Sequence, residues 1–197
     1  MEEKEFKEKF GGKEDFFMKF NPEKQISMSE KEIAIFGDFP TLQAICLAYG
    51  ENTAKEWLLP HIVDLAVYYS ARHLTNGQFQ ELAAIIDKEC KDLKVSEVMH
   101  FFYCLKAGRL NVSEQLSPMS VIVSLRNFLS ERNGLLWDKY NEDLNKVYLL
   151  VEDHPKTKVY ARVFRTQESA EKALQERDER TGERFYPACH VIERTIE

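Results

Sequence analysis

The chain has 197 residues and a formal net charge of -6 at pH 7. Its hydrophobic fraction of 44% and charged fraction of 30% are close to the averages of globular proteins, which excludes disorder along the whole chain. The negative charge disfavours a protein that coats nucleic acid, and the lack of any apolar run of about 18 residues excludes a membrane-spanning helix.

The start of the chain and its cysteines indicate where the protein works. The first ten residues, MEEKEFKEKF, are too charged for a signal peptide. The four cysteines, Cys46, Cys90, Cys104 and Cys189, are scattered and form no CxxC pair. We therefore expect reduced thiols, a cytoplasmic protein and no association with a membrane.

Residues 1–32 alternate charged and aromatic side chains. Gly11 and Gly12 interrupt any helix there, and no apolar stripe persists. The segment is predicted to be a flexible arm, or one that becomes ordered only against a partner. Its candidate partner-binding residues are Phe6, Phe10, Phe16 and Phe17. Docking and simple flexibility both remain open.

Residues 33–145 predict a helical domain, because apolar side chains recur at steps of three and four. Local residue types mark where its five or six helices begin and end. Pro60 lacks an amide hydrogen and should kink its helix or split it in two. The predicted helix starts are at Pro40, Asn52, Ser96 and Ser117-Pro118, and the predicted ends are at Gly50, Gly108 and Asn133-Gly134.

From Lys146 the apolar period changes to that of strands. Two segments, KVYLLVED and KVYARVFR, predict a hairpin, followed by a helix from Thr166 to Gly182 and a final strand in which Pro187 marks an edge or a bulge. We therefore expect an α+β fold: a mostly α-helical bundle followed by a small C-terminal ββαβ unit over 146–197. So small a unit should pack on the helical domain or on a second copy, which makes a homodimer one alternative.

The segment LKVSEVMHFFYCLKAGRL places Glu97, His100 and Cys104 on one line of a helix. These residue types can bind zinc, and a thiol beside an imidazole can act as a nucleophile. A zinc site needs further ligands, however, and no second Cys/His cluster has a recognisable spacing. The favoured interpretation is structural, with no metal and no catalytic residue.

Two further groups of polar residues suggest chemistry. His61 and Asp64 lie one helical turn apart and could form an acid–base pair, although a hydrogen bond at the surface is the favoured interpretation. Five cations flank the last helices of the helical domain and could grip phosphate or an acidic protein if they converge. They are Lys94, Lys106, Arg109, Arg126 and Arg132, and a solvated face balanced by Glu97, Glu114 and Glu131 is the alternative.

Residues 40–133 resemble a family of uncharacterised helical proteins that is frequent in Bacteroidales genomes, phages and mobile elements. The resemblance is carried by "TA-x-x-W-L", "EELA-x-x-I", "LK-x-SE-x-M-x-FF-x-x-x-K-x-GR" and "L-x-x-F-x-x-ER". The family continues after Gly-Arg with "YG-x-x-Y" and an Asp, where this chain has LNVSEQLSPMS. If those residues form a working surface in the family, that surface is altered here. More distantly, the helical pattern resembles small phage proteins that load or inhibit a replicative helicase.

Three functions are compatible with these patterns. The first is a non-enzymatic binding protein of a phage or mobile element, an adaptor or inhibitor acting on a replication protein or another host protein. It is favoured because the chain has no phosphate loop, nucleophile elbow, HExxH or dinucleotide motif, and hence no expected cofactor. The second is nucleic-acid binding through the five cations. The third is a metal or thiol enzyme that uses His100 and Cys104.

Overall fold

The computed structural model describes residues 3–112, 115–144, 146–152, 160–164, 166–181 and 189–195. The chain divides into two compact units, Met1–Arg132 and Asn133–Glu197.

The first unit opens with a series of short helices. They are α1 (Glu3–Phe10), α2 (Lys13–Lys19), a 3-10 helix (Pro22–Met28) and α3 (Lys31–Phe36). Gly11 lies at the turn between α1 and α2 with φ +81°. A glycine adopts a positive φ at little cost because it has no Cβ. As the sequence predicts, no helix passes through the two glycines.

These N-terminal helices pack on the rest of the unit, which differs from the flexible arm that we expect from the sequence. The rings of Phe6 and Phe10 contact each other at a tilt with centroids 4.8 Å apart, as do those of Phe16 and Phe20, and Phe6 also lies 5.5 Å from the ring of Tyr49. All four phenylalanines are buried. The sequence hides this stripe because each pair spans one turn of helix and the glycine turn resets the helical phase between them.

The remaining helices follow in chain order. They are α4 (Leu42–Tyr49), α5 (Thr53–Tyr68), α6 (Asn76–Glu89), α7 (Val95–Lys106) and α8 (Pro118–Leu144), the last of which begins in the first unit and ends in the second. The predicted stops at Gly50 and Gly108 are confirmed, with φ of +112° and +67°. Ser117 precedes α8 as predicted, and its Oγ accepts a hydrogen bond from the amide of Ser120 over 3.1 Å.

Two predicted helix boundaries are wrong, and Pro60 does not split its helix in two. It lies inside α5, which continues on both sides of it, and it leaves the carbonyl of the exposed Glu56 without an amide partner in the helix. The N-cap of α7 is Lys94, and Ser96 already lies within the helix. The helix also continues through Asn133-Gly134 to Leu144, because this glycine keeps a negative φ instead of the left-handed conformation that ends a helix.

Helix α7 is the centre of the first unit. All of its residues are buried except Tyr103 and Lys106. It packs against the 3-10 helix, α3 and α5. Backbone hydrogen bonds fix its start beside α4: Leu42 donates to the carbonyl of Leu93 over 2.8 Å, and Val95 donates to that of Pro40 over 2.9 Å. Because the helix is buried on almost every side, each of its polar side chains needs a hydrogen-bond partner from a neighbouring element.

The second unit holds the end of α8 and four short elements. They are β1 (Lys146–Glu152), β2 (Tyr160–Phe164), α9 (Gln167–Thr181) and β3 (Cys189–Thr195). The strand order is β2-β1-β3, and both pairings are antiparallel, with Leu149 of β1 opposite Val163 of β2 and Ile192 of β3. Thr166 precedes α9 as predicted, and its Oγ1 accepts from the amide of Ser169 over 3.2 Å.

The α+β fold class is wrong and is corrected to a mainly helical one. Helices hold most of the residues that the structure describes. The buried apolar core, as far as the structure describes it, is built from residues 6–128 of the helical unit. The predicted ββαβ unit over 146–197 is not shown as a unit, since the residues that connect its elements, 153–159, 165 and 182–188 (Gly182 and Pro187 among them), lie outside the described residues.

Candidate functional site

The phenylalanines predicted to bind a partner pack against other residues of the same chain instead. Phe6, Phe10 and Phe16 belong to the apolar core, and Phe17 packs half-buried at its edge. The ammonium of Lys13 lies 5.8 Å from the ring centroid of Phe17. These rings are therefore not available to another protein while the N-terminal helices remain in place.

The predicted cation Lys94 closes the end of a helix. Its ammonium donates to the carbonyls of Ile35 and Gly37, each over 2.8 Å, at the C-terminus of α3. Those carbonyls have no partner within their own helix, and the helix dipole favours a positive charge beside them. Lys94 is thus a structural residue in this conformation.

Arg132 is held by two acidic residues. Its Nε donates to Oε1 of Glu97 over 2.6 Å, and its Nη1 reaches Asp92 at 3.5 Å. Burial by itself would lower the pKa of Arg132, but the hydrogen bond and charge of Glu97, aided by Asp92, outweigh it and raise that pKa. The guanidinium therefore keeps its charge and neutralises Glu97, a carboxylate with 0% exposure.

The cations at the end of α7 point to different partners. Lys106 forms an ion pair with Asp64 of α5 and lies over the ring of Tyr68. Arg109 donates to the carbonyl of Ser29 over 3.3 Å and lies 5.2 Å from the ring centroid of Tyr103. Both side chains thus make intramolecular contacts that compete with a nucleic-acid ligand.

Of the five predicted cations, Arg126 alone is exposed with neither a hydrogen bond nor an ion pair to another described residue. The structure does not bring the five together as a single open patch. Instead it distributes Lys94, Lys106, Arg109 and Arg132 over four separate intramolecular contacts. The solvated, charge-balanced face that the sequence offered as the alternative does not describe this arrangement either, since Glu97 pairs with Arg132 but is completely buried.

The line of Glu97, His100 and Cys104 has two parts with different roles. Glu97 serves the start of α7: its Oε2 accepts from the amide of Lys94 over 2.8 Å. His100 and Cys104 contact each other one turn later, with 3.4 Å between Nε2 and Sγ. Burial lowers the pKa of His100 and raises that of Cys104, so both are neutral at pH 7.

No metal centre is found in the part of the chain that the structure describes, since no three His, Cys, Asp or Glu residues there are grouped to hold an ion. His100 and Cys104 alone would supply two ligands, and a structural zinc ion takes four.

His61 and Asp64 do not form an acid–base pair. His61 is fully buried, and its Nε2 donates to the carbonyl of Phe20 over 3.0 Å while its Nδ1 accepts from the amide of Gln25 over 2.8 Å. Asp64 pairs with Lys106. Burial lowers the pKa of His61 to about 4, so the imidazole is neutral and structural.

One pattern connects most of these polar residues: side chains of the later helices donate to backbone carbonyls of the N-terminal segment. Such bonds satisfy the backbone of a segment that has little long regular structure of its own. The donors are Tyr49 to Gly11, Trp57 and His61 to Phe20, His100 to Met28, Arg109 to Ser29, Ser96 to Ala34, and Lys94 to Ile35 and Gly37.

A surface that the sequence reasoning missed lies on the outer side of α5. We call it the α5 ridge: Pro60, Val63, Val67 and Tyr68. The last three are 42%, 73% and 59% exposed. Trp57, Leu58, Ile62 and Leu65 fill the inner side of the same helix. The signal was in the sequence, because a surface helix normally turns polar residues outward, whereas this helix is apolar on both sides.

Comparisons with protein-family models, with curated proteins and with solved structures find no match. The resemblance to the Bacteroidales and phage family therefore stays a prediction. Across the described residues, no helix is long and apolar enough to cross a membrane.

Proposed function

We propose that the protein is a non-enzymatic binding protein that recognises another protein through the α5 ridge. The observation that carries the proposal is the exposure of apolar side chains at positions 60, 63 and 67, one row along a single helix. Exposing such a row to water costs free energy in the unbound protein, and covering it recovers that cost. Surface valines are ordinary singly, but a continuous row is typical of a binding face.

The surroundings of the ridge indicate the chemistry of the partner. The Lys106–Asp64 ion pair lies beside Tyr68, and Glu56 precedes Pro60 on the exposed side of α5. An apolar centre with charged residues at its edge is the usual composition of a protein–protein interface. A tyrosine and a proline add contact area at low cost in side-chain entropy. We expect the partner to present an apolar helix or groove.

Nucleic-acid binding has less support. The chain carries a net charge of -6, and four of the five candidate cations make intramolecular contacts. A protein that holds nucleic acid through phosphate contacts needs cations that are free to release the counterions of the phosphates. A metal or thiol enzyme that uses His100 and Cys104 has less support too, since both side chains are buried and no three His, Cys, Asp or Glu residues in the described part of the chain are grouped to hold a metal ion.

The biological setting that we propose follows from the resemblance of residues 40–133. In that setting the protein is an adaptor or inhibitor made by a phage or mobile element, and its partner is a replication protein or another host protein. The identity of the captured partner tests this setting separately from the ridge itself.

The experiment is an affinity capture of the tagged full chain from a lysate of the source cells, with and without nuclease, read by mass spectrometry. The test variant is the double substitution Val63→Ser and Val67→Ser. The matched control is Leu47→Ser, a leucine that is 75% exposed on another helix of the same unit, α4. Neither change should unfold the protein, because exposed positions contribute little to stability.

We expect a nuclease-resistant partner that the parent and Leu47→Ser capture equally and that the ridge variant loses. The purified partner should then bind the parent at least ten times more tightly than the ridge variant, as the loss of two apolar contacts implies. Equal capture by all three proteins would refute the ridge. Capture that disappears with nuclease would replace the proposal by nucleic-acid binding.

A further inference from the structure

A cleft of about 450 Å³ is lined by α4, by the turn that follows it and by the end of α6, and we call it the α4–α6 cleft. Its lining contains no residue of the α5 ridge. Sites for small ligands usually measure about 300–1,000 Å³, so the cleft is large enough for a small molecule. The side chains that matter here are Gln43, Leu47, Glu51, Asn52, Asp87 and Lys91.

Asp87 brings a negative charge without a partner to this cleft. Its Oδ1 is buried from water and accepts no hydrogen bond from any residue that the structure describes. A carboxylate oxygen removed from water without a donor is unfavourable, and folded proteins rarely leave one in that state. A ligand that donates to this carboxylate, above all a charged ammonium, would supply the missing hydrogen bond.

Lys91 follows Asp87 by four residues, the spacing at which opposite charges meet on a helix. Helix α6 ends at Glu89, however, and Cys90 leaves the helical conformation at φ -127°. The backbone of Lys91 is then held beside α4, because its carbonyl accepts from the amide of Gln43 over 2.9 Å. Among the described residues, neither Asp87 nor Lys91 forms an ion pair. The fold thus keeps two opposite charges apart at one cleft.

Two neutral amides, those of Gln43 and Asn52, line the same cleft. Asn52 is the N-cap of α5, yet its side chain accepts no hydrogen bond from the first turn of that helix. An asparagine in this position normally does so. A side-chain amide can donate to a carboxylate and accept from an ammonium, so both residues can bind either end of a dipolar ligand.

The charges of the lining select the class of ligand. An anion without a positive group would face two carboxylates, those of Asp87 and Glu51, and only one ammonium. A metal ion is disfavoured, since no three His, Cys, Asp or Glu residues are grouped to hold one within the described ranges. A zwitterion matches both signs of charge. Leu47, which is 75% exposed, adds an apolar wall.

We propose that the α4–α6 cleft binds a free α-amino acid with an apolar side chain. The ammonium of the ligand donates to Asp87, and its carboxylate accepts from Lys91. The amides of Gln43 and Asn52 complete the hydrogen bonds of these two groups, and the apolar side chain packs on Leu47. Both charged groups of the ligand are needed, because each one compensates a different residue.

The experiment is a titration of the full chain by NMR, in which the side-chain amides of Gln43 and Asn52 report on the cleft. The probes are leucine and two analogues of the same shape: isoamylamine, which lacks the carboxylate, and isocaproate, which lacks the ammonium. The variants Asp87→Asn and Lys91→Gln remove one charge each. Lys88→Gln, at an exposed position of α6 that does not line the cleft, is the matched control.

We expect leucine to shift both side-chain amides until the site is saturated, and to bind more tightly than either analogue. Asp87→Asn and Lys91→Gln should each weaken the binding of leucine about tenfold, because each removes a hydrogen bond between charged groups. Lys91→Gln should leave isoamylamine unaffected, since that ligand has no carboxylate. Lys88→Gln should bind leucine like the parent.

A second measurement places the ligand. Cys46 also lines the cleft, half-buried, and its thiol donates to the carbonyl of Glu51 over 3.4 Å. Bound leucine should therefore slow the alkylation of Cys46 by iodoacetamide. The proposal is wrong if leucine at about 10 mM shifts neither amide, if it binds no better than its analogues, or if Lys91→Gln binds it like the parent. Lys91 is exposed, so this variant decides even if Asp87→Asn fails to fold.

Discussion

Arg132 and Glu97, 35 residues apart in sequence, are joined by a hydrogen bond of 2.6 Å that ties α8 to the first turn of α7. The carboxylate is completely buried, and the guanidinium is almost so. Glu97 also accepts from the amide of Lys94, so one side chain caps the start of α7 and holds α8 through Arg132. A buried carboxylate is tolerated only while these donors are present.

Removal of the guanidinium should therefore destabilise the protein strongly. We expect Arg132→Met to lower the free energy of unfolding by about 3 kcal/mol, because it leaves a buried charge without its partner. The measurement is urea unfolding at pH 7. Lys31→Met is the matched control, since its ion pair with Glu131 is exposed on both sides and should contribute less than about 1 kcal/mol. Equal effects of the two variants would contradict the structural role of Arg132.

The two cations Lys94 and Arg126 should behave differently despite their similar appearance in the sequence. Lys94→Met removes the donor to the carbonyls of Ile35 and Gly37, the second of which keeps the amide of Phe39 at 3.0 Å, and should cost about 1–2 kcal/mol, chiefly because the carbonyl of the buried Ile35 loses its partner. Arg126→Met, at an exposed position, should change the free energy of unfolding by less than about 0.5 kcal/mol. Thermal and urea unfolding would both show the difference, and similar values for the two variants would refute it.

The N-terminal helices should be part of the cooperative core. Phe16→Ala removes a fully buried ring and should lower the free energy of unfolding by about 3–5 kcal/mol. Phe17→Ala, next to it but only half-buried, should cost clearly less. If instead both variants unfold at the urea concentration of the parent, residues 1–32 form the detached arm that the sequence predicts.

Stability should fall in mild acid because of His61. The unfolded imidazole takes up a proton below its ordinary pKa of 6.5, whereas burial keeps the folded one neutral down to about 4. The unfolded state thus binds more protons between these values, so the stabilisation is complete above pH 6.5 and is lost as the pH falls through 4. The loss amounts to about 3 kcal/mol at most.

The test is urea unfolding at pH 7.5 and pH 5. The charge of Asp64 reduces the pKa shift of His61, and that of Lys106 adds to it. His100 contributes in the same direction, since burial lowers its pKa as well. His61→Gln should therefore reduce the difference between the two pH values without abolishing it. A difference as large as that of the parent would mean that His61 does not titrate as described.

Replacing Gly134 by alanine should stabilise the protein. It lies within α8, and a Cβ built there meets no atom within 4 Å. Gly134→Ala should raise the free energy of unfolding by about 0.5–1 kcal/mol, because alanine loses less backbone entropy in a helix. Circular dichroism and urea unfolding measure the change. A loss of stability would indicate that the helix ends at this glycine, as the sequence predicts.

Sequence reasoning succeeded where the cause of a structure is local. Ser117 and Thr166 cap their helices and Gly108 ends one, because each acts on backbone groups within three or four residues. It failed at Asn133-Gly134, where a strong local stop signal is overridden, and at Ser96, whose hydroxyl donates instead to the carbonyl of Ala34 across the core.

In the candidate site, too, local patterns identified residues whereas long-range contacts set their roles. The sequence names His100, Cys104 and the cations, but their roles depend on partners that lie 57 residues away for Lys94 and Gly37, 72 for His100 and Met28, and 80 for Arg109 and Ser29. The α5 ridge was missed for a different reason. Apolar side chains occur on both the inner and the outer side of this helix, so the spacing of its apolar residues did not reveal which of them remain uncovered.

The sequence by itself determined that the chain forms helices with definite ends, because helix propensity, capping and apolar spacing act over a few residues. Only the tertiary structure decided which of its polar and aromatic residues are free. The N-terminal segment packs on the later helices: its own Phe16 is buried there, and its backbone carbonyls accept hydrogen bonds from His61 and Lys94. A buried group must find its partner wherever the fold places one, and sequence distance carries no information about that.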